Sequence, residues 1–149
     1  IEKDVTRKVR IAQQPFAQGG LRNVYQIDEV MNNGSVRKFV AKESRHEVPY
    51  SERLRFHCET STCQVRAIWF AREFNKQIKR KNLDTQLPAI MVLRAFCYRL
   101  NDPNAPGKFR YLAVEDRIHG TYHKWNGNNG YINPDEMSSP AFNVAQAFR

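Results

Sequence analysis

The sequence predicts an α+β fold, a mainly antiparallel twisted sheet covered by one long amphipathic helix. Three observations lead there. Segments rich in strand formers recur at Val5–Ile11, Leu21–Val30, Val36–Lys42, Ala89–Leu100 and Phe109–Ile118. Asn32-Asn33-Gly34 sits between two of them and reads as a hairpin turn, which makes that pair antiparallel. Finally, Ala67, Phe70, Ala71, Phe74 and Ile78 recur at helical intervals, with Val65, Ile68 and Trp69 widening the stripe.

The intervening segments follow from turn chemistry. Gln13 to Gly20 reads as a loop, and Glu43 to His57 is polar and ambiguous. Ser61-Thr62-Cys63-Gln64 has capping-box spacing, so the helix is expected to start there and run to about Ile78. Asn101 to Gly107, with two prolines, is a turn, and Trp125 to Gly130 is a Gly/Asn-rich loop. Ala141 to Phe148 reads as a second helix.

Composition bounds the function. At 149 residues the chain is the size of one domain with a real core, and 41% hydrophobic with 26% charged residues argues against disorder. No apolar run approaches membrane-spanning length and no secretory leader opens the chain. Cys58, Cys63 and Cys97 form an odd set without C-x-x-C spacing, which favours free thiols over disulfides or zinc. A cytoplasmic protein with no membrane partner is expected. The chain lacks an initiator methionine and stops just after the second helical segment, so it is read as an excerpt of a longer protein.

A net charge of +9 attracts anions of several kinds. The tightest basic cluster is Lys76, Lys79, Arg80 and Lys81 at the helix end, where cations also complement the helix dipole. Aromatic residues sit in apolar stripes rather than among basic ones, which argues against a nucleic-acid platform.

Pro15 to Tyr25 carries the chemistry. Gly19 and Gly20 free the backbone to bend closely around a ligand, and Arg22 can reach what the bend encloses. Lys42 ends the strand returning from that turn and would point beneath it, where an ammonium holds phosphate oxygens; a solvated lysine is the plainer account. Arg22 suits bidentate phosphate contact. Glu115 lies in the apolar strand Leu112-Ala113-Val114-Glu115-Asp116. An acid there either accepts from a ligand amine or pairs with a nearby cation. His57, Cys58 and Cys63 fit no zinc spacing, and His119 and His123 lie in non-helical chain.

These residues carry a resemblance. Gln14-Pro15-Phe16 through Gly19 to Arg22, then Phe39-Val40-Ala41-Lys42, then Trp69 with Phe74-Asn75 resemble the opening of the alpha-type atypical protein kinases, which include elongation factor 2 and myosin heavy chain kinases. Val114-Glu115 with Ile118, Gly120, Tyr122, Lys124, Asn126, Asn128 and Gly130 resembles that family's "E…G.Y.KYN.N.G" segment, and Ala145-Gln146-Ala147-Phe148 the helix after it.

The resemblance implies a kinase-like amino-terminal lobe over about 1–112, with hinge and linker over about 113–149. Gly19 and Gly20 would turn over the phosphates of ATP, with Arg22 and Lys42 binding them. Glu115 at the hinge and the backbone around Arg117 would meet adenine. Magnesium would bridge the phosphates, and the acceptor would be Ser or Thr of a protein substrate, with a regulatory protein as a further partner. Ala17 and Gln18 depart from a more glycine-rich turn, His119 stands where an acid is frequent, and Trp125 replaces a tyrosine. The family's "D.QG" and "TDP" segments and its His/Cys zinc ligands do not occur in these 149 residues, so the catalytic lobe is expected beyond Arg149 and no catalytic base is assigned. A non-catalytic interaction module and a basic nucleic-acid-binding domain are the competing readings.

Overall fold

The computed structural model describes residues 6–46, 48–127 and 129–148. The chain divides into two compact units, Ile1–Gln64 with Leu93–Arg117, and Val65–Val92 with Ile118–Arg149. The first unit holds the whole sheet: β1 (Lys8–Ile11), β2 (Ala17–Gln18), β3 (Arg22–Val30), β4 (Val36–Ser44), β5 (Ala95–Asn101) and β6 (Phe109–Asp116). Their order is β1-β3-β4-β6-β5, with β2 added to β3, and every pairing is antiparallel. The expected α+β class is thus observed.

Alternation decides what each strand buries. Tyr25 and Ile27 of β3, Phe39 and Ala41 of β4, and Leu112 and Val114 of β6 share one face and form the core. Val9 and Ile11 from one edge and Tyr98 and Leu100 from the other pack onto the same cluster, so the sheet is curled around it. Tyr98 spans that curl, its hydroxyl donating to Glu29 on β3 at 3.0 Å. Burial, then this bond to a carboxylate, pushes the Tyr98 phenol up to about 12, which keeps the donor proton in place. Arg7 Nη1 lies 3.0 Å from the other Glu29 oxygen, so the buried acid is paired from two sides.

The hairpin between β3 and β4 forms where Asn32-Asn33-Gly34 places it. Gly34 has φ of 82°, and Asn33 Oδ1 accepts from the Ser35 amide at 3.0 Å. The expected loop before β3 instead contains β2, whose two residues pair with Val24 and Asn23. Val5, the expected start of the first strand, lies outside the described residues.

Helix α1 (Tyr50–Arg80) is much longer than its apolar stripe implied. Its expected start at Ser61 is wrong. The Ser61 and Thr62 hydroxyls donate back to the carbonyls of His57 and Cys58, at 3.2 and 3.0 Å, so the capping-box spacing is a mid-helix pattern. The helix begins just after Pro49, and the Tyr50 ring packs over Gly107, whose φ of 68° and missing Cβ make room for it.

In the second unit, Asn75 clamps residue 90 by both backbone groups, donating to the Ile90 carbonyl at 2.7 Å and accepting from its amide at 2.9 Å. That amide-to-backbone pair replaces a strand ladder, which is why the segment expected to be extended from Ala89 joins the sheet only at Ala95. Helix α2 (Pro140–Phe148) buries Phe142 and Val144, and Phe148 meets Phe74 edge to face at 5.5 Å. The Trp125–Gly130 loop is tied by a bridge between Asn126 and Ile132; Asn128 is outside the described residues. No helix among the described residues is long and apolar enough to cross a membrane.

Candidate functional site

Five of the six candidate residues lie on β4, on β6 and in the β2–β3 hairpin, and the sixth, Arg117, follows β6. Lys42 pairs in register with Val24 on β3 and Ala113 on β6, which puts its side chain on the face opposite Ala41 and the core. Glu115 stands opposite Val40, two residues along β6, and therefore points to the same face as Lys42. The two meet: Lys42 Nζ donates to Glu115 Oε2 at 2.6 Å. The lysine side chain is 32% exposed and the glutamate only 11%, so the acid is held inside while the cation reaches toward solvent. The sequence left Glu115 between a ligand amine and a cation; its partner in the structure is Lys42.

Gly19 and Gly20 form the tip of the β2–β3 hairpin, closed by the Gly19 amide donating to the Arg22 carbonyl at 2.8 Å. Arg45 Nη1 donates to the Gly19 carbonyl at 2.8 Å and steadies the tip from β4's far end. Neither glycine has positive φ among those that do, and a Cβ on Gly20 would meet nothing within 4 Å. The chain's own geometry therefore does not require glycine at 20, and its bare backbone faces open space.

Arg22 does not point freely outward. Its Nη2 donates to Thr60 Oγ1 at 3.1 Å and its guanidinium lies 5.6 Å from the centre of the Phe56 ring, both on α1. Sequence reasoning missed Thr60 and Phe56, since helical periodicity gives no sign of which helix residues an arginine 38 positions earlier will reach. His57 beside them is buried; desolvation, then the charge of Arg22, lowers its pKa against a smaller opposite pull from Glu43. Arg117 follows β6 directly. Its amide donates to the Lys38 carbonyl at 3.2 Å, continuing the β4–β6 ladder, so that donor is already engaged.

Elsewhere, a hollow of about 540 Å³ lined by Arg7, Lys8, Glu29 and Met31 lies near the β3–β4 turn and gathers none of the candidate residues. Among the described residues, no group of three His, Cys, Asp or Glu could hold a metal ion.

The sequence pattern of the alpha-kinase family matches residues 17–149. The chain belongs to the alpha-kinase family. An alpha-protein kinase of Dictyostelium discoideum, vwkA, is 31% identical over 136 residues, covering 91% of this alpha-kinase chain and 20% of that protein. The fold is that of solved alpha-kinase domains. The domain of myosin-II heavy chain kinase A in complex with AMP-PNP superposes with a TM-score of 0.69 at 19% identity, covering 95% of this chain and 63% of that one. The domain of myosin heavy chain kinase A bound to AMP gives 0.65 at 19% identity, over 85% and 60%. This alpha-kinase chain therefore spans about a fifth of the curated relative and about three-fifths of the solved domains it matches.

Proposed function

We propose that this alpha-kinase chain is the ATP-binding portion of a protein kinase that transfers the γ-phosphate of ATP to Ser or Thr of a protein substrate. The observation that carries the reading is the Lys42–Glu115 pair, set on the sheet face two rows from Arg22 and its glycine hairpin. An ammonium held by a buried acid is fixed in place yet keeps donors for phosphate oxygens. Glu115 uses one oxygen for the lysine, which leaves the other to accept from an adenine amine. Arg22 adds a planar fork for phosphate, and the bare backbone at Gly20 lets a phosphate come close. With its amide committed to Lys38, Arg117 would offer adenine its carbonyl rather than its N–H.

Phosphoryl transfer is mainly positioning and charge stabilisation, and these residues supply that for the nucleotide half. Magnesium, when bound, would neutralise charge across the phosphates; no residue of this chain is assigned to it or to the catalytic base. The test uses the full-length protein. Lys42→Ala is expected to lower autophosphorylation with Mg-ATP by about a hundredfold or more. Unchanged phosphotransfer would overturn the assignment and favour a non-catalytic interaction module.

A further inference from the structure

We propose that Thr60 and Phe56 of α1 are positioning residues for Arg22, so that this helix sets triphosphate recognition through the arginine of the glycine hairpin. The inference rests on the reading of Arg22 as a phosphate ligand and goes beyond it by naming what aims the arginine. Among the described residues Arg7, Arg37, Arg55 and Arg110 each lie against a carboxylate, namely Glu29, Asp116, Glu59 and Glu43. Arg45 and Arg53 donate to backbone carbonyls and Arg94 and Arg99 lie over rings, while Arg22 is held by a hydroxyl oxygen together with an aromatic face. Such partners fix the guanidinium without cancelling its charge, and only one of its five N–H groups is spent. A cation that is held but not neutralised is suited to an anion that arrives later.

The hydroxyl geometry makes the hold directional. Thr60 Oγ1 donates its proton to the Phe56 carbonyl at 3.1 Å, which leaves its lone pairs to face Arg22. The neighbouring His57, buried and favoured as the neutral imidazole, adds no competing charge. Meanwhile Lys42 takes its acid from β6, and Glu59 of the same stretch of α1 pairs outward with Arg55. Within this unit, then, helix α1 grips the site through Arg22 and not through the lysine. Any shift of α1 along or about its axis would re-aim the arginine while leaving the Lys42–Glu115 pair intact.

The experiment is calorimetric titration of the full-length protein with AMP-PNP plus magnesium and, separately, with AMP. Arg22→Ala is expected to weaken AMP-PNP binding about tenfold and to leave AMP unchanged, because the lost contacts are to the outer phosphates. Thr60→Val, which keeps the side-chain shape, should weaken AMP-PNP about fivefold with AMP again unchanged, and Thr60→Ser should restore it. Phe56→Leu serves as an independent second variant with the same selective loss. If Thr60→Val and Phe56→Leu bind AMP-PNP normally while Arg22→Ala does not, the positioning role is refuted. Equal losses for both nucleotides in those variants would mean a merely structural role and also refute it. An unchanged Arg22→Ala would instead overturn the reading of Arg22 on which the inference stands.

Discussion

Lys42 and Glu115 are paired at 2.6 Å but unequally exposed, at 32% and 11%, so their removal should not cost the same. In Lys42→Met, a carboxylate that is about nine-tenths covered loses its cation and has little water to replace it. Breaking a fully buried pair this way costs about 3–5 kcal/mol, and an exposed pair about 0–1 kcal/mol. The intermediate exposure of Lys42 puts the loss at about 2 kcal/mol, or roughly 4–8 °C in Tm for a chain of this size. Glu115→Gln leaves the more exposed partner behind. The ammonium can turn to water or donate to the new amide oxygen, and about 0.5 kcal/mol should be lost. The double variant should be more stable than Lys42→Met alone, because no charge is then stranded. Urea unfolding of the four proteins at neutral pH gives all the numbers needed. Equal costs for the two single variants, the reverse order, or a double variant no better than Lys42→Met would refute the reasoning.

Acid should weaken the fold through His57. Its folded pKa is below 6.5, chiefly because it is desolvated and then because Arg22 is near, so on acidification the unfolded chain takes the proton first. The His57 contribution is therefore complete above about pH 6.5 and declines as the pH falls from there toward the folded value. His57→Gln should flatten the change in urea midpoint between about pH 7.5 and about pH 5.5, and an unaltered slope would show that another group is responsible. The glycines make a contrasting pair. Gly107→Ala puts a Cβ into the Tyr50 ring at positive φ and should cost about 2 kcal/mol or more, whereas Gly20→Ala meets open space and should change stability by less than about 0.5 kcal/mol. Thermal melts of both variants, with AMP-PNP titration of Gly20→Ala to detect weakened binding, check the two together.

Much of the sheet could be read from the sequence because its signals are local. Tyr25 and Ile27 alternate with Gln26 and Asp28, Phe39 lies in a run of strand formers, and Asn33-Gly34 marks the turn that joins their strands. The first half of α1 was hidden for the opposite reason: of its residues from Tyr50 to Thr60 only His57 is buried, so no apolar stripe announces it. Ser61 and Gln64 then imitated a helix start, since a hydroxyl that caps and one that bonds back along the helix leave the same spacing. The candidate site divides in the same way. The sequence put Lys42 beneath the glycine turn and left Glu115 as an acid within an apolar strand, but their mutual contact depends on the offset between β4 and β6, which one sequence does not encode locally. The grip of Thr60 on Arg22 and the fork of Arg110 on Glu43 are likewise long-range, spanning 38 and 67 positions.

The position of Lys42 next to Ala41 has a consequence for folding itself. Sliding β4 by a single residue against β3 and β6 would turn Lys42 inward among Tyr25, Ile27 and Leu112, and expel Phe39 and Ala41. An ammonium without its acid in that cluster would be severely penalised, while the misplaced Phe39 would forfeit its burial. The Lys42 charge thus weighs against strand pairing that is out of step by one residue. Replacing Lys42 by an apolar residue would remove that penalty, leaving a chain freer to pair its strands out of step.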